Sequence, residues 1–168
     1  MQKQIFITNG MGGCGKDTFA QFLGEIVPTF KYSSIDRVKK IAEMCGWYGG
    51  KTERDRKFLS DLKTLTTEYN DMPFDMIRIK VDKFRDKDDP NVVMLIDIRE
   101  PKEIERAKKA FGAKTILIMN ENVKFIDSNP ADANVYMYKY DFVIDNSSTL
   151  EAFKEKVQEF AEENILWQ

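Results

Sequence analysis

Short apolar runs alternate with stretches of helical periodicity along the chain. This order is typical of βαβ units, in which helices cover both faces of a mostly parallel sheet. We therefore predict a three-layer α/β/α fold around a mostly parallel five-stranded sheet. The candidate strands are residues 5–7, 30–33, 92–96, 115–119 and 142–144.

Periodic apolar positions predict the helices that cover this sheet. Apolar residues recur three and four positions apart, which places them on one face of a helix. The last helix also carries a candidate capping box, Ser148 with Glu151 three residues later, which indicates its N-terminus. The residues expected to face inward are Phe19, Phe22, Leu23 and Ile26 in the first helix, Ile104, Ala107 and Phe111 after Pro101, and Leu150, Phe153, Val157 and Phe160 in the last.

Two segments interrupt the alternation of strands and helices. Residues 35–86, approximately, hold helical patterns and no convincing strand, so we predict a helical insertion within a single domain of residues 1–168. Residues 120–140, approximately, have little periodicity, and a loop of that length is usually a functional flap or a disordered excursion. The apolar positions of the insertion are Phe58, Leu62, Leu65 and Tyr69 in one helix, and Phe74, Ile77, Val81 and Phe84 in the next.

The composition of the chain excludes several classes of function. The chain has 26 Lys and Arg against 28 Asp and Glu, so it lacks the basic excess typical of proteins that bind nucleic-acid polymers. It has no histidine, which excludes Ser-His-Asp and Cys-His catalytic sets and gives its two cysteines no partner for a zinc site. No apolar run is long enough for a membrane span or a signal peptide. We expect a cytoplasmic monomer or homodimer without a membrane partner.

The loop that follows the first strand carries the main chemical signal. Gly10, four residues, Gly15 and Lys16 reproduce the G-x-x-x-x-G-K spacing of a P-loop, or Walker A motif, between a strand and a helix. Glycines let the backbone N–H groups face a phosphate, and the helix N-terminus adds partial positive charge. Lys16 can reach the outer phosphates. The predicted ATP-binding residues are Gly10, Gly12, Gly13, Cys14, Gly15, Lys16, Asp17 and Thr18.

Asp17 stands where the motif usually has Ser or Thr, whose hydroxyl binds Mg²⁺. Three interpretations are open. Asp17 is a first-turn carboxylate favoured by the helix dipole; or it is catalytic, holding Mg²⁺ or accepting the proton of an attacking hydroxyl. The third is a decayed site, because a carboxylate repels a triphosphate unless a cation intervenes.

Two other residues are candidates for the metal. Asp97 follows a buried strand directly, at the edge where open α/β sheets bind ligands, and it can hold Mg²⁺ through water. The alternative is an aspartate that merely ends a strand. Thr18 carries a hydroxyl one position after the residue that binds Mg²⁺ in the usual motif.

The GKDT turn after a strand resembles the P-loop nucleoside and nucleotide kinases, especially the phage-type deoxynucleoside monophosphate kinases. The resemblance extends to Asp97, Ile98 and Arg99, a D-x-R motif, and to the D-x-x-I-x-N motif at residues 141–146. It implies a three-layer α/β fold that transfers the γ-phosphate of ATP, with Mg²⁺, to the phosphate of a small acceptor.

The predicted insertion carries basic residues at the start of a helix. Phosphoryl transfer needs cations that hold donor and acceptor in line, so such residues are expected in a flap. Arg54 is our candidate for both catalysis and acceptor binding, ahead of Arg56 and Lys57. The alternative is a solvated charged face, because Glu53 and Asp55 alternate with the basic residues.

Three further residues are candidates for the acceptor site. Arg78 borders the apolar stripe of its helix, which would aim it at the acceptor phosphate. Asp36 follows the second strand, where the related kinases approach the sugar or base of the acceptor; a plain first-turn carboxylate is the alternative. The resemblance favours a catalytic or acceptor contact for Arg99, and the alternative is a surface ion pair.

One feature departs from the kinases that the chain resembles. Nucleotide kinases commonly close an arginine-bearing lid over ATP, whereas residues 120–140 contain Lys124 and Lys139 but no arginine. We predict an ATP-dependent, Mg²⁺-assisted kinase of a small phosphorylated metabolite, foremost a (deoxy)nucleoside monophosphate. The alternatives are a kinase of the dephospho-coenzyme A or phosphomevalonate type and a catalytically weak nucleotide-binding regulator.

Overall fold

A computed structural model describes residues 2–124 and 134–167, and its centre is a parallel sheet. The strand order is β2-β3-β1-β4-β5, and every neighbouring pair is parallel. This confirms the predicted α/β class and the five predicted strands. The strands are β1 Gln4–Asn9, β2 Thr29–Ser33, β3 Val93–Asp97, β4 Lys114–Met119 and β5 Phe142–Asp145.

Strand β1 lies in the middle of the sheet, between β3 and β4. In the register of the sheet, Thr8 of β1 and Ser33 of β2 both lie opposite Asp97 of β3. The chain adds β2 and β3 on one side of β1 and then crosses to add β4 and β5 on the other. Such a reversal opens a crevice outside the carboxyl ends of the strands, where ligands bind in open α/β sheets.

Helices cover both faces of the sheet. On one face, α1 and α6 bury Phe19, Phe153 and Phe160 against Phe6 of β1. On the other, α4 and α5 pack on the alternate strand residues. Short apolar strands buried on both sides are typical of this arrangement. The helices are α1 Lys16–Ile26, α2 Asp36–Met44, α3 Glu53–Asn70, α4 Met72–Arg85, α5 Pro101–Phe111 and α6 Leu150–Ala161, which continues into a π-helical turn at Glu162–Leu166.

The predicted insertion consists of α2, α3 and α4. Helix α3 packs on α2 and α4 rather than on the sheet, and none of its residues is buried. Its apolar positions correctly predicted a helix, yet Leu65 is 63% and Tyr69 85% exposed. The helix begins with a capping box that the sequence reading missed, in which Thr52 and Asp55 each bond the other's backbone N–H.

The start of α6 differs from the prediction, and the predicted lid is described only in part. Thr149, not Ser148, caps α6, and its side chain accepts from the backbone N–H of Ala152. The predicted capping box is therefore wrong, and Leu150, at the first helical position, is 58% exposed instead of buried. Of the predicted lid, residues 125–133 lie outside the described residues, and its last part contains a 3₁₀ turn at Val135–Met137.

In residues 2–124 and 134–167, no helix has both the length and the apolar character needed to cross a lipid bilayer.

Candidate functional site

The glycine-rich loop joins the C-terminal end of β1 to the N-terminus of α1. A Cβ on Gly10 would come within 2.4 Å of the carbonyl oxygen of Ile118, so the loop starts in direct contact with the backbone of β4. Gly15 has φ 106°, and a Cβ there would come within 2.4 Å of Asn146 Nδ2. Larger residues are thus disfavoured at both ends of the loop, because the neighbouring parts of the protein leave no room for a Cβ.

Lys16 is the first residue of α1, and its side chain lies back across the loop. Its Nζ donates to the carbonyl oxygens of Gly10 at 2.6 Å and Met11 at 3.0 Å. The same ammonium is 3.8 Å from the sulfur of Cys14. Burial raises the pKa of the Cys14 thiol despite the opposing charges of Lys16 and Arg99, so the thiol stays protonated. Through its contacts with Gly10, Met11 and Cys14, the ammonium of Lys16 is held against the loop that precedes it.

Hydrogen bonds from the neighbouring strands fix the loop. Asn146, just after β5, donates from Nδ2 to the carbonyl oxygen of Cys14 at 3.0 Å. Asn9 accepts from the N–H of Gly10 at 2.8 Å and donates to Tyr140 Oη at 2.8 Å. Asn9 also donates to the carbonyl oxygen of Arg99 at 3.1 Å. The backbone of the loop is thus tied to the chain after β3 and to both ends of β5.

Part of the segment predicted as a lid touches the loop directly. The hydroxyl of Tyr136 donates to the sulfur of Met11 at 3.3 Å. Tyr140 donates to the carbonyl oxygen of Val135 at 2.7 Å while it accepts from Asn9. Burial raises the pKa of Tyr140 to about 12, so this hydroxyl is a neutral donor at physiological pH. The 3₁₀ turn is therefore connected to the loop through neutral hydrogen bonds.

Two carboxylates and a lysine meet beside the start of α1. The Nζ of Lys31, in β2, contacts Oδ1 of Asp17 and lies 3.0 Å from Oδ2 of Asp97. Thr8 donates its hydroxyl to the other oxygen of Asp97. The side chain of Asp17 is 99% exposed, whereas those of Lys31 and Asp97 are 26% and 17% exposed. Lys31 thus bridges a surface carboxylate and an inner one.

The charges in this group stabilise one another. The hydrogen bond from Lys31 lowers the pKa of Asp17 below its ordinary value. Burial lowers the pKa of Lys31, but the charge of Asp97 and the hydrogen bonds to both carboxylates outweigh it and raise the pKa overall. Asp17 and Lys31 are therefore ionised at neutral pH, and Lys31 forms an ion pair with each of the two carboxylates.

The oxygen atoms in this region suit a hard divalent cation. Carboxylates and hydroxyls are donors that Mg²⁺ prefers: Asp17 and Asp97 supply two carboxylates that meet at Lys31, and the half-buried Thr18 is the next residue of α1. In the described part of the chain, no group of three or more Asp, Glu, Cys or His side chains could hold a metal by itself. The residues therefore fit Mg²⁺ as partial ligands, in the way that a P-loop site shares the ion with nucleotide phosphates.

The candidates for the acceptor site lie at different distances from the sheet edge. Asp36 begins α2 directly after β2, and its carboxylate accepts from the N–H of Ser33 at 2.8 Å. Arg99 is half-buried and follows β3, next to the loop. Arg54 is exposed in the first turn of α3. Arg78 is 59% exposed and pairs with Asp75, one turn earlier in α4, at 2.9 Å. Their roles stay predictions.

Sequence reasoning missed Lys31 and Asn9. Lys31 stands between Phe30 and Tyr32 in a short strand, a position that the alternating pattern assigns to the solvent side. Asn9 directly precedes the motif and was not identified as a residue of the site. Asn146 was identified as part of a motif, and the structure adds its contact with the loop. The D-x-x-I-x-N and D-x-R motifs both had a usable signal, namely polar residues directly after buried strands.

No protein-family model matches the sequence, and no curated protein matches it either. Several solved structures are similar over almost the whole chain. The dephospho-CoA kinase from Campylobacter jejuni is 17% identical with a TM-score of 0.51, over 96% of this chain and 97% of that chain. A sugar kinase from Janibacter is 12% identical with a TM-score of 0.51, over 96% and 95%. A protein from Thermus thermophilus is 16% identical with a TM-score of 0.55, over 98% and 99%.

At these identities the similarity establishes the fold. Two of these three structures are kinases of small molecules by their names, a dephospho-CoA kinase and a sugar kinase. Their similarity extends over nearly all of this chain and of theirs, so the whole described architecture, and not just the loop, is shared with them.

Proposed function

We propose that this protein transfers the γ-phosphate of ATP, with Mg²⁺, to a small phosphorylated acceptor, foremost a (deoxy)nucleoside monophosphate. The observation that carries the proposal is the loop from Gly10 to Lys16, which lies at the carboxyl end of the central strand and opens α1. An anion-binding loop in the crevice of a parallel sheet is the arrangement with which P-loop proteins bind phosphates. The names of the similar solved structures support a kinase.

The loop and Lys16 bind the donor. The N-terminus of α1 favours negative charge, and the tied backbone of the loop keeps its N–H groups in place for the phosphates. The ammonium of Lys16, which lies against the carbonyl oxygens of Gly10 and Met11, can turn on its flexible stem to the outer phosphates of ATP. Lys16 thus neutralises charge that develops between donor and acceptor.

Thr18 and Asp97 would hold Mg²⁺ together with the nucleotide phosphates. When bound, the ion spreads the negative charge of the phosphates. Thr8 orients Asp97 by donating a hydrogen bond to one of its oxygens, and the other oxygen already contacts a cationic group, the ammonium of Lys31 at 3.0 Å. Asp17 contributes negative charge beside the same position, so its role in the proposal is to bind a cation.

A phosphorylated acceptor makes a general base unnecessary. The second pKa of a phosphate monoester is about 6, so its oxygen is already ionised and nucleophilic at neutral pH. This favours the cation-binding interpretation of Asp17 over proton abstraction. It also means that the acceptor site must bring two anions together, which requires cationic side chains.

Arg99 is the first candidate among those cations, because it is half-buried next to the loop and its carbonyl oxygen is fixed by Asn9. Arg54 and Arg78 are exposed on the insertion. Asp36 lies at the end of β2, where it can accept from a sugar hydroxyl or a base. Our proposal therefore places the acceptor between Arg99 and the start of α2.

The test is an assay of ADP formation with Mg²⁺ across all deoxy- and ribonucleoside monophosphates, extended to dephospho-coenzyme A and phosphomevalonate. We expect at least one nucleoside monophosphate to stimulate ADP formation, and Lys16→Ala to abolish the stimulation. Lys109→Ala is the matched control, because Lys109 is 76% exposed in the last turn of α5 and pairs with Glu105, one turn earlier.

Two outcomes would favour the alternatives. Stimulation by dephospho-coenzyme A or phosphomevalonate alone would keep the kinase and change its acceptor. Tight ATP binding with no stimulation by any acceptor would indicate a nucleotide-binding regulator and refute phosphoryl transfer. Full activity of Lys16→Ala would refute the role given to the loop.

A further inference from the structure

Lys31, which lies outside the P-loop motif, contacts two carboxylates at the carboxyl end of the strands. The Nζ of Lys31 contacts Asp17 and lies 3.0 Å from Oδ2 of Asp97. Lys31 lies opposite Leu95 in the sheet, two residues before the position that faces Asp97. Its long stem therefore runs along the strand towards the carboxyl end, where the charged group meets carboxylates from α1 and β3.

The positions of these carboxylates relate them to the proposed metal. Asp17 directly follows Lys16, at the motif position whose side chain ordinarily binds Mg²⁺. Asp97 ends the strand next to β1, where P-loop NTPases carry the acidic residue that helps to hold the ion. Both carboxylates contact the Nζ of Lys31, so the space between them already holds one cationic group.

Lys31 and Mg²⁺ cannot both occupy this space. The two carboxylates carry two negative charges, and a divalent ion between them would lie at contact distance from the ammonium and be repelled by it. Lys31 can move, because its side chain is 26% exposed and its charge is carried on a flexible four-carbon stem. Binding of the metal therefore requires the ammonium to leave.

We propose that Lys31 is a positioning residue that occupies the pair of Asp17 and Asp97 until Mg²⁺ displaces it. Without the metal, Lys31 keeps two like charges close together and in place. It also keeps the affinity for free Mg²⁺ low, so that the ion enters together with the nucleotide phosphates. The inference rests on the proposed function for the identity of the metal.

The test is a calorimetric titration of the protein with MgCl₂ in the absence of nucleotide. We expect Lys31→Met to bind Mg²⁺ about tenfold more tightly than the unsubstituted protein, because the competing charge is gone while the stem length is kept. Lys31→Arg keeps the charge and should bind as the unsubstituted protein does. Lys109→Met is the matched control, since it also removes a lysine that pairs with a carboxylate, but away from the loop.

Two results would overturn the inference. One is equal affinity of Lys31→Met and the unsubstituted protein. The other is a gain in Lys31→Arg as large as that in Lys31→Met, because charge would then not be the cause. Circular dichroism checks folding, and Lys31→Gln, for which the same gain is expected, replaces a methionine variant that does not fold.

The readout is separate from the proposed phosphoryl transfer. A gain of affinity in Lys31→Met supports the competition between lysine and metal even if no acceptor is phosphorylated. Conversely, a kinase in which all the Lys31 variants bind free Mg²⁺ equally keeps the proposed function and loses the role given to Lys31.

Discussion

A Gly15→Ala substitution probes how tightly the loop is packed where α1 begins. Gly15 has φ 106°, and its new Cβ would come within 2.4 Å of Asn146 Nδ2. That amide is the end of a side chain that can turn away. Turning away breaks its 3.0 Å hydrogen bond to the carbonyl oxygen of Cys14. The substitution therefore adds backbone strain and removes a contact that fixes the loop.

The magnitude follows from these two effects. A residue with a Cβ in such a backbone conformation costs about 1–3 kcal/mol. The lost hydrogen bond costs about 0.5–1.5 kcal/mol. We expect Gly15→Ala to lower the free energy of unfolding by about 2–4 kcal/mol. Gly13→Ala introduces only backbone strain, because φ is 83° and, in the described part of the chain, no atom beyond its two chain neighbours lies within 4 Å of the added Cβ. It should cost about 1–2 kcal/mol.

Urea unfolding followed by circular dichroism measures these differences. Gly24→Ala is the matched control and should stabilise by about 0.5–1 kcal/mol, because Gly24 lies inside α1 and its added Cβ meets no described atom within 4 Å beyond the adjacent backbone of its own helix and its chain neighbours. Asn146→Ala alone should cost about 1 kcal/mol. Combined with Gly15→Ala it should cost less than the sum, because the same hydrogen bond is lost only once. If Gly15→Ala is no more destabilising than Gly13→Ala, the close contact with Asn146 is refuted.

Three further predictions concern the fold. Phe153→Ala should lower the free energy of unfolding by about 3–5 kcal/mol, whereas Leu150→Ala in the same helix should change it by less than about 0.5 kcal/mol; equal costs in urea unfolding would contradict the burial of α6. Thr52→Ala should cost about 1 kcal/mol by the same measurement, because it removes the capping box of α3, and no change would argue against that cap. Burial raises the pKa of Asp141, but bonds from Lys108 and Thr115 outweigh it and lower the pKa overall, so the stability that Asp141 contributes is lost as pH falls through about 4 and below. Unfolding measured from about pH 5 down to about pH 2 should therefore depend less on pH in Asp141→Asn, and an unchanged dependence would refute this role.

The features predicted best from the sequence were those with a local signal. Strands β1, β3 and β4 are short apolar runs with buried residues on both faces, and the loop after β1 has a fixed spacing of glycines and lysine. Asp97 was identified because a carboxylate directly after a buried strand must lie at the carboxyl end of the strands. These inferences need only the order of residues along the chain.

Other features depend on contacts that the local pattern does not contain. The periodicity of α3 indicates a helix but not what covers it, and the helix packs on its neighbours with Leu65 and Tyr69 exposed. The bridging position of Lys31 results from the pairing of β2 with β3 and from the place of α1 above them. In α6, both Ser148 and Thr149 are good caps by composition, and the local pattern does not tell which of the two the helix uses, whereas the structure has Thr149.

The central claim is that the loop around Lys16 supports phosphoryl transfer, and it is tested most directly by following the γ-phosphate itself. The protein is incubated with Mg²⁺, γ-labelled ATP and the nucleoside monophosphate that most stimulates ADP formation. We predict that the label appears in the nucleoside diphosphate, that Lys16→Ala abolishes its appearance, and that Lys109→Ala does not. Label that stays on ATP or is released only as inorganic phosphate, or label transfer that survives in Lys16→Ala, would contradict the account.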